Sequence, residues 1–157
     1  MPLTIVAAVA GFLILSGIGR SPPAKDSRAT VDRTPTVTVR PTRLGRILVT
    51  AKGRTLYLFL EDGRRSTCYA SCARVWPPLL VSGRPRAGRG VDAGKLTTTR
   101  RRHSRLRQAV YAGHPLYTTD ADERPGQTEG QGFLGTWFAI SPSGRQVGKA
   151  SASAGGY

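Results

Sequence analysis

The sequence is poor in the residues that most often carry catalysis. Its 157 residues include two histidines, two cysteines and a single methionine, which is the first residue. His103 and His114 stand at spacings that match no nucleophile motif, so no Ser/His/Asp arrangement can be assembled from the sequence. We therefore expect a protein that is not an enzyme and that needs no cofactor.

Aromatic residues are also scarce, at 7%, whereas 19 glycines and 11 prolines make the chain rich in turns. This composition favours short strands over long helices. A length of 157 residues corresponds to about one domain. The composition thus predicts an all-β, or mainly β, protein.

The chain has no long apolar run of the kind that spans a membrane. Leu3–Ile18 is a run of 16 residues, and residues 1–19 contain no charged side chain. A spanning helix needs roughly 20 residues, and the shorter run is typical of a signal-peptide core. Residues 1–19 are therefore predicted to be a signal peptide or an N-terminal membrane anchor. We expect a secreted or extracytoplasmic protein that meets a membrane only through this segment.

Acidic residues are few, nine against 24 Lys and Arg, which gives a formal charge of +15 and a pI near 11.3. A charge of this size suggests a polyanionic partner, although an Arg-rich, Ala-rich and Gly-rich composition also follows from GC-rich coding. We interpret the densest basic run as an exposed loop that contacts anionic envelope polymers or lipid headgroups. Nucleic acid is a less favoured partner, because no aromatic residue interleaves the run and no recognition helix accompanies it. The run contains Arg100, Arg101, Arg102, Arg105 and Arg107.

What the chain does contain is an internal repeat. Lys52–Asp62 and Ala112–Asp122 lie 60 positions apart and share Gly, Leu, Tyr and Asp in one frame. A tryptophan follows each copy, Trp76 after the first and Trp137 after the second. Repeats of this kind are supersecondary units that bury their apolar faces against each other. The repeat predicts two pseudo-repeated hairpin units packed as one small domain, with one short helical turn around the cysteines.

Composition also predicts where the domain begins and ends. Four prolines in 20–42 argue against strands there, including the alternating Thr36–Arg40, so 20–42 is predicted to be a largely disordered linker. Residues 149–157 are of low complexity and are predicted to be a disordered tail. The duplicated domain is then 43–148, with the first repeat at about 44–80 and the second at about 106–142.

The motif residues have two interpretations. Tyr57 and Phe59 lie two apart and share one strand face, and Asp62 follows at the strand's end. They form either a core aromatic pair with Asp62 closing a turn, or an aromatic ligand groove with an acidic handle. We favour packing, because motifs in small repeats usually encode it. The residues concerned in both copies are Tyr57, Phe59, Asp62, Trp76, Tyr117, Asp122 and Trp137.

Cys68 and Cys72 are four residues apart. At this spacing in a helix the Cβ atoms lie roughly 5–6 Å apart, beyond the usual disulfide span of about 3.5–4.5 Å. A disulfide therefore requires Cys68 to precede the helix, near a cap formed by Ser66 or Thr67. An exported location favours the disulfide. A copper site with His114 as a further ligand and a redox-active pair remain alternatives, although the thioredoxin spacing is Cys-x-x-Cys.

These elements together resemble the bacterial secreted-repeat lipoproteins, a family defined by a Tyr-x-aromatic-x-x-Asp motif. The resemblance rests on Tyr57-x-Phe59-x-x-Asp62, on Cys68-x-x-x-Cys72-Ala73-x-x-Trp76-Pro77-Pro78 and on Gly113-His-Pro-Leu-Tyr117, and covers roughly residues 44–145. It implies an extracytoplasmic, tandem-repeat, β-rich domain without a settled biochemical function. Two features depart from the family. The lipid-accepting cysteine is absent, so lipid anchoring does not carry over, and Thr119 replaces the aromatic residue in the second copy.

We expect from all of this a non-catalytic cell-envelope module with a binding or structural role. The alternatives are a metal or redox carrier that uses Cys68 and Cys72, and a polyanion or nucleic-acid binder that uses the loop Arg100–Arg107.

Overall fold

The computed structural model of the protein describes residues 35–148. This part of the chain is built mainly from short strands, with a single turn of α-helix and a 3-10 turn at Ala93–Lys95. The strands are β1 (Thr36–Thr42), β2 (Gly45–Thr50), β3 (Tyr57–Phe59), β4 (Leu80–Val81), β5 (Arg86–Ala87), β6 (Leu96–Arg100), β7 (Arg107–Tyr111), β8 (His114–Pro115) and β9 (Trp137–Ala139), and the helix is α1 (Ser71–Val75).

The strands of residues 35–148 form three small sheets. In the first, β1 lies between β2, to which it is antiparallel, and β5, to which it is parallel. In the second, β3 pairs with β9, and in the third β4, β6 and β8 all pair with β7. The predicted all-β class is confirmed, and so is the short helix beside the cysteines.

The strand β1 corrects the predicted linker. It pairs with β2 from Val37 to Thr42 and with β5 at Thr36, so the prediction of disorder in 20–42 is wrong from Thr36 onward. Pro41 is tolerated because Val39 N–H donates to Arg89 O on the side away from β2 (3.1 Å). Backbone nitrogens two residues apart in a strand face the same side, so the nitrogen of Pro41 also faces away from β2. The strand β5 does not extend as far as Pro41, and no hydrogen bond between strands is lost there. The predictions for residues 1–19 and 149–157, and the rest of the linker, lie outside the described residues.

The two repeats begin with similar hairpins. In the second copy β7 returns as β8 through a two-residue turn, with Tyr111 paired to His114. In the first copy β2 ends at Thr50, and the chain returns through the bridge between Val49 and Thr55. The strand that carries Tyr57 and Phe59 is only three residues long.

The strand β3 ends at Phe59 because the chain turns there, with Asp62 N–H donating to Phe59 O at 3.1 Å. Leu60, which follows the strand, is 48% exposed.

The core has an aliphatic part and an aromatic part. The aliphatic part joins the first and third sheets, and its buried members are Val37, Leu48, Leu56, Leu58, Val81, Leu96, Ala109, Tyr111, Leu116 and Ile140. The aromatic part contains both tryptophans and both motif tyrosines, with Ile47, Val49, Cys68 and Ala139. The duplicated motif thus lies at the centre of the molecule. No helix within residues 35–148 is long and apolar enough to cross a membrane.

Candidate functional site

The two motif tyrosines pair with each other through their backbones. Tyr57 N–H donates to Tyr117 O at 2.9 Å, and Tyr117 N–H donates to Tyr57 O at 3.0 Å. Both residues are completely buried. Because they are equivalent positions of the repeat, the local twofold relation between the copies passes between these two residues.

Their side chains cross from one copy to the other. Tyr57 Oη donates to Asp122 Oδ2 at 2.7 Å, and Tyr117 Oη donates to Asp62 Oδ2 at 2.5 Å. Each tyrosine is therefore bonded to the aspartate of the opposite repeat. Neither copy completes its own Tyr–Asp pair, so the motif ties the two repeats together.

The second oxygen of each aspartate orders the loop that follows it. Asp62 Oδ1 accepts from Thr67 N–H at 2.7 Å, and Asp122 Oδ1 accepts from Glu129 N–H at 2.8 Å. The copies differ in exposure, since Asp122 is 1% exposed whereas Asp62 is only half-buried. Asp62 was predicted to close a turn by a local hydrogen bond; its carboxylate instead accepts from Thr67, and the bond from Tyr117 is one that the sequence did not indicate.

The electrostatics of these pairs follow from burial. Burial raises the pKa of both Tyr57 and Tyr117 above the ordinary tyrosine value, and the neighbouring carboxylate raises it further. Burial also raises the pKa of Asp122, against the opposing effects of the bonds from Tyr57 and Glu129 and of the charge on Arg54. The hydroxyls are therefore held as neutral donors, which suits them to structure better than to proton transfer.

The tryptophans form the middle of a column of rings. Trp76 and Trp137 stack with centroids 4.0 Å apart and planes 5° apart, and Phe59 stacks on Trp137 at 4.2 Å. Tyr57 meets Trp76 edge-on, and Tyr117 meets Trp137 edge-on, so the column repeats the twofold relation. The rings of these aromatic residues therefore pack against one another.

Gly130 is a close-approach position that the sequence did not reveal. A Cβ atom at this glycine would lie 2.7 Å from Cη2 of Trp76 and 2.9 Å from Cε1 of Tyr57. Its N–H donates to Tyr57 Oη at 3.2 Å. The absence of a side chain at Gly130 therefore lets the rings of Trp76 and Tyr57 pack against its backbone.

Cys68 and Cys72 form a disulfide, with their Cα atoms 5.3 Å apart. As predicted, Cys68 precedes α1 and Cys72 lies within it. The predicted cap is wrong, because the residue at the helix start is Ala70 and no side chain bonds to the first turn. Ser66 is instead buried, with its Oγ 2.7 Å from Tyr117 Oη.

The basic run is only partly the exposed loop that we predicted. Arg100 ends β6 and Arg107 begins β7, where the Arg107 guanidinium donates to the hydroxyl and carbonyl oxygens of Thr98. Arg101 points into the molecule, because strand β6 has just ended beside the disulfide loop. Arg102 and Arg105 are exposed.

Arg101 fastens the disulfide loop to the sheet. Its guanidinium donates to Ser66 Oγ at 2.6 Å, to Gln108 Oε1 at 3.0 Å and to Cys68 O. It also lies over the ring of Tyr69, 4.2 Å from the centroid. The Arg101 side chain therefore stabilises the fold. In a sequence, a run of arginines does not show which of them is engaged in this way and which is solvated.

The alternative of a copper site has no set of ligands among residues 35–148, because no three His, Cys, Asp or Glu side chains come together there. Both sulfurs are used by the disulfide, and His114 lies in β8 paired with Tyr111.

Comparison with known families agrees with the duplicated geometry. Residues 38–80 and 106–141 each match the model of a family described as secreted repeats of unknown function. The chain belongs to this family. The two matches coincide closely with the predicted repeats, and the description supports the predicted extracytoplasmic location. Comparisons with curated proteins and with solved structures give no match.

Each copy of the secreted repeat contributes one tyrosine, one aspartate and one tryptophan to the centre. All seven predicted motif residues lie in this centre or at its edge: Tyr57, Phe59, Asp62, Trp76, Tyr117, Asp122 and Trp137. Sequence reasoning missed Arg54, whose Nη2 donates to Thr119 O at 2.6 Å and whose charge acts on Asp122.

Proposed function

We propose that this secreted repeat is a non-catalytic binding module of the cell envelope, in which the duplicated motif is scaffold and the surface makes the contacts. The observation that carries the proposal is the reciprocal bonding of the two tyrosines and two aspartates. Groups that are bonded to one another in the centre of the molecule hold two repeats in register. In this proposal the outer loops of the repeats, held in place by that centre, are the binding elements.

The ionisable groups of the motif also argue against catalysis. A general acid or base needs a pKa near the working pH and access to a substrate. The pKa of Tyr57 and that of Tyr117 are raised away from neutrality, and both side chains are fully buried. Asp122 is buried as well and already accepts two hydrogen bonds. These features support a scaffold over an active site.

The proposal is tested by cosedimentation of the full chain with purified cell walls. We expect saturable sedimentation without release of soluble wall fragments. The Tyr117→Phe variant, assayed at a temperature where it is folded, should sediment like the parent protein, because Tyr117 is buried. Release of fragments in proportion to protein concentration would show an enzyme instead, and a chain that stays in the supernatant would show that the envelope wall is not the partner.

The polyanion alternative is favoured by one observation, the exposure of Arg102 and Arg105 beside Arg100. It is weakened because Arg101 and Arg107 are engaged within the fold. The double variant Arg102→Gln, Arg105→Gln tests it: loss of wall binding in this variant would assign the contact to this loop.

A further inference from the structure

Two segments from opposite repeats line an open groove with a volume of about 540 Å³. One wall is the end of β1 and the turn after it, 40–43, and the other is the loop 124–129. We propose that this arginine groove is a binding site for phosphate groups of an extracytoplasmic ligand, either a phosphodiester polymer or a phospholipid headgroup. The inference deepens the proposed envelope-binding function and rests on it for the location of the ligand.

The exposed side chain of Arg40 lies against two glycines at the groove. The two glycines are joined by a hydrogen bond, in which Gly126 N–H donates to Gly53 O at 2.9 Å. A Cβ atom at Gly53 would lie 3.0 Å from Arg40 Nη1, and one at Gly126 would lie 3.7 Å from its Cζ. The guanidinium thus rests on bare backbone of both repeats.

The groove carries more positive charge than its own carboxylate balances. Within residues 35–148, neither Arg40 nor Arg124 forms an ion pair, and Arg43 lies 4.0 Å from Glu129 with both side chains largely exposed. Exposed pairs of this kind contribute little energy, so a stronger anion can replace Glu129 at Arg43.

All three cations that line the groove are guanidinium groups. Guanidinium presents paired N–H donors that match the oxygens of phosphate. The volume lies within the range of roughly 300–1,000 Å³ that ligand sites occupy. It exceeds what a single small ion needs and fits a repeating unit of a polymer or a headgroup.

The loop wall is joined to the motif by hydrogen bonds. Thr55 Oγ1 donates to Gln127 O at 2.6 Å, and Arg124 N–H donates to Gln127 Oε1 at 2.6 Å. At the far end of the loop, Glu129 N–H donates to Asp122, which is itself bonded to Tyr57. The pair Tyr57–Asp122 therefore positions the groove wall. Its counterpart Tyr117–Asp62 orders the disulfide loop instead, through Thr67.

The first experiment measures binding of the full chain to poly(glycerol phosphate), with polygalacturonate as a carboxylate polymer of like charge. We expect Arg40→Gln and Arg124→Gln each to raise the Kd for the phosphate polymer by about tenfold. Arg84→Gln, which removes an exposed charge in the loop between β4 and β5, should change it less than about twofold. Equal losses from all three, or tighter binding of polygalacturonate, would overturn the assignment.

A second arm separates the two sources of phosphate. Vesicles of phosphatidylglycerol and of phosphatidylcholine are compared with the soluble polymer, using the same variants. A loss caused by Arg40→Gln on phosphatidylglycerol alone identifies the headgroup as ligand, and a loss with the polymer alone identifies the phosphodiester chain. If neither ligand responds to Arg40→Gln, the groove is not a phosphate site.

The duplicated motif supplies a further readout. Tyr57→Phe should weaken phosphate binding several-fold at temperatures where the protein is folded, because it loosens the loop 124–129. Tyr117→Phe should not. Binding that is equally insensitive to both would refute the positioning role of Tyr57. If Arg40→Gln and Arg124→Gln still bind the cell wall, the groove is not the binding site, and the envelope-binding function stands. If the parent chain does not bind the cell wall, the proposed function itself is refuted.

Discussion

Tyr57 and Tyr117 are each other's β-partners, joined by two backbone hydrogen bonds of 2.9 and 3.0 Å, although 60 residues separate them. From this pair the side chains diverge, each to the aspartate of the opposite copy. The centre of the fold is therefore made of contacts between the repeats, so each repeat alone would leave buried donors and acceptors without partners. We infer that the two copies fold as one unit.

The two tyrosines should differ in their contribution to stability. Tyr57→Phe leaves a carboxylate at Asp122 that is 1% exposed and that water cannot reach, and we expect a loss of about 2–3 kcal/mol in the free energy of unfolding. Tyr117→Phe should cost about 1 kcal/mol, because Asp62 is half-exposed and keeps both bonds from Thr67. Urea unfolding of the oxidised variants measures both values. A larger cost for Tyr117→Phe would contradict the role that we give to burial.

The same pairs predict a loss of stability at alkaline pH. The pKa of Tyr57 and that of Tyr117 are raised by burial in the folded protein, whereas tyrosines of the unfolded chain ionise near the ordinary value of about 10. Above that value the unfolded state releases protons that the folded state keeps. The stability contributed by these hydroxyls is thus complete below about pH 10 and declines as the pH rises further.

Tyrosinate absorbance provides the measurement. Between pH of about 10 and about 12, the folded single variants Tyr57→Phe and Tyr117→Phe should show the same absorbance as the parent protein. After unfolding in denaturant each should show one tyrosinate fewer. A variant that loses absorbance while still folded would mean that the replaced tyrosine ionises in the native state.

The sequence predicted the parts of this centre and could not predict how they are connected. The spacing of Tyr57 and Asp62 recurs at Tyr117 and Asp122, and the same frame would arise whether each tyrosine bonded to its own aspartate or to the other. The choice depends on how the hairpins dock, which is a property of the tertiary structure. The repeat therefore predicted the two copies and their family, but not the exchange of bonds between them.

The strand β1 and Arg101 show the two kinds of information that were missing. Prolines at the edges of Thr36–Thr42 argued against a strand, yet Pro41 is harmless because its nitrogen faces a side without a neighbour. Arg101 is one of several arginines in a row, and only the end of β6 beside the disulfide loop directs it inward. Local propensity cannot report which neighbour lies on which side.

Arg101 should contribute to stability, whereas its neighbour Arg102 should not. Arg101→Gln removes charged donors to Ser66 and to Cys68 O, and we expect a loss of about 1–3 kcal/mol in the free energy of unfolding. Arg102→Gln removes the same charge from an exposed position and should stay within about 0.5 kcal/mol of the parent protein. Thermal and urea unfolding give the comparison.

The disulfide supplies the matching control. On the chain-entropy relation, closing this short loop is worth about 2 kcal/mol, so the Cys68→Ser, Cys72→Ser variant should be less stable by that amount. Because Arg101 bonds to the same loop, the loss from Arg101→Gln should be smaller in the cysteine-free background than in the oxidised protein. Strict additivity would show that Arg101 and the disulfide act independently.

Gly130 is the position at which a single methyl group should disturb the aromatic centre most directly. In Gly130→Ala the new Cβ would lie 2.7 Å from Trp76 and 2.9 Å from Tyr57, and both of these rings are packed between other groups and cannot retreat. We expect a loss of about 1–3 kcal/mol in the free energy of unfolding and a changed tryptophan fluorescence, since Trp76 stacks on Trp137. Gly63→Ala is the matched control, because a Cβ at Gly63 meets no atom within 4 Å. It should leave both measurements nearly unchanged. If Gly130→Ala is as stable as Gly63→Ala, the column of rings can open around an added methyl group. The reciprocal bonds of Tyr57 and Tyr117 would then hold the two repeats together more than ring packing does.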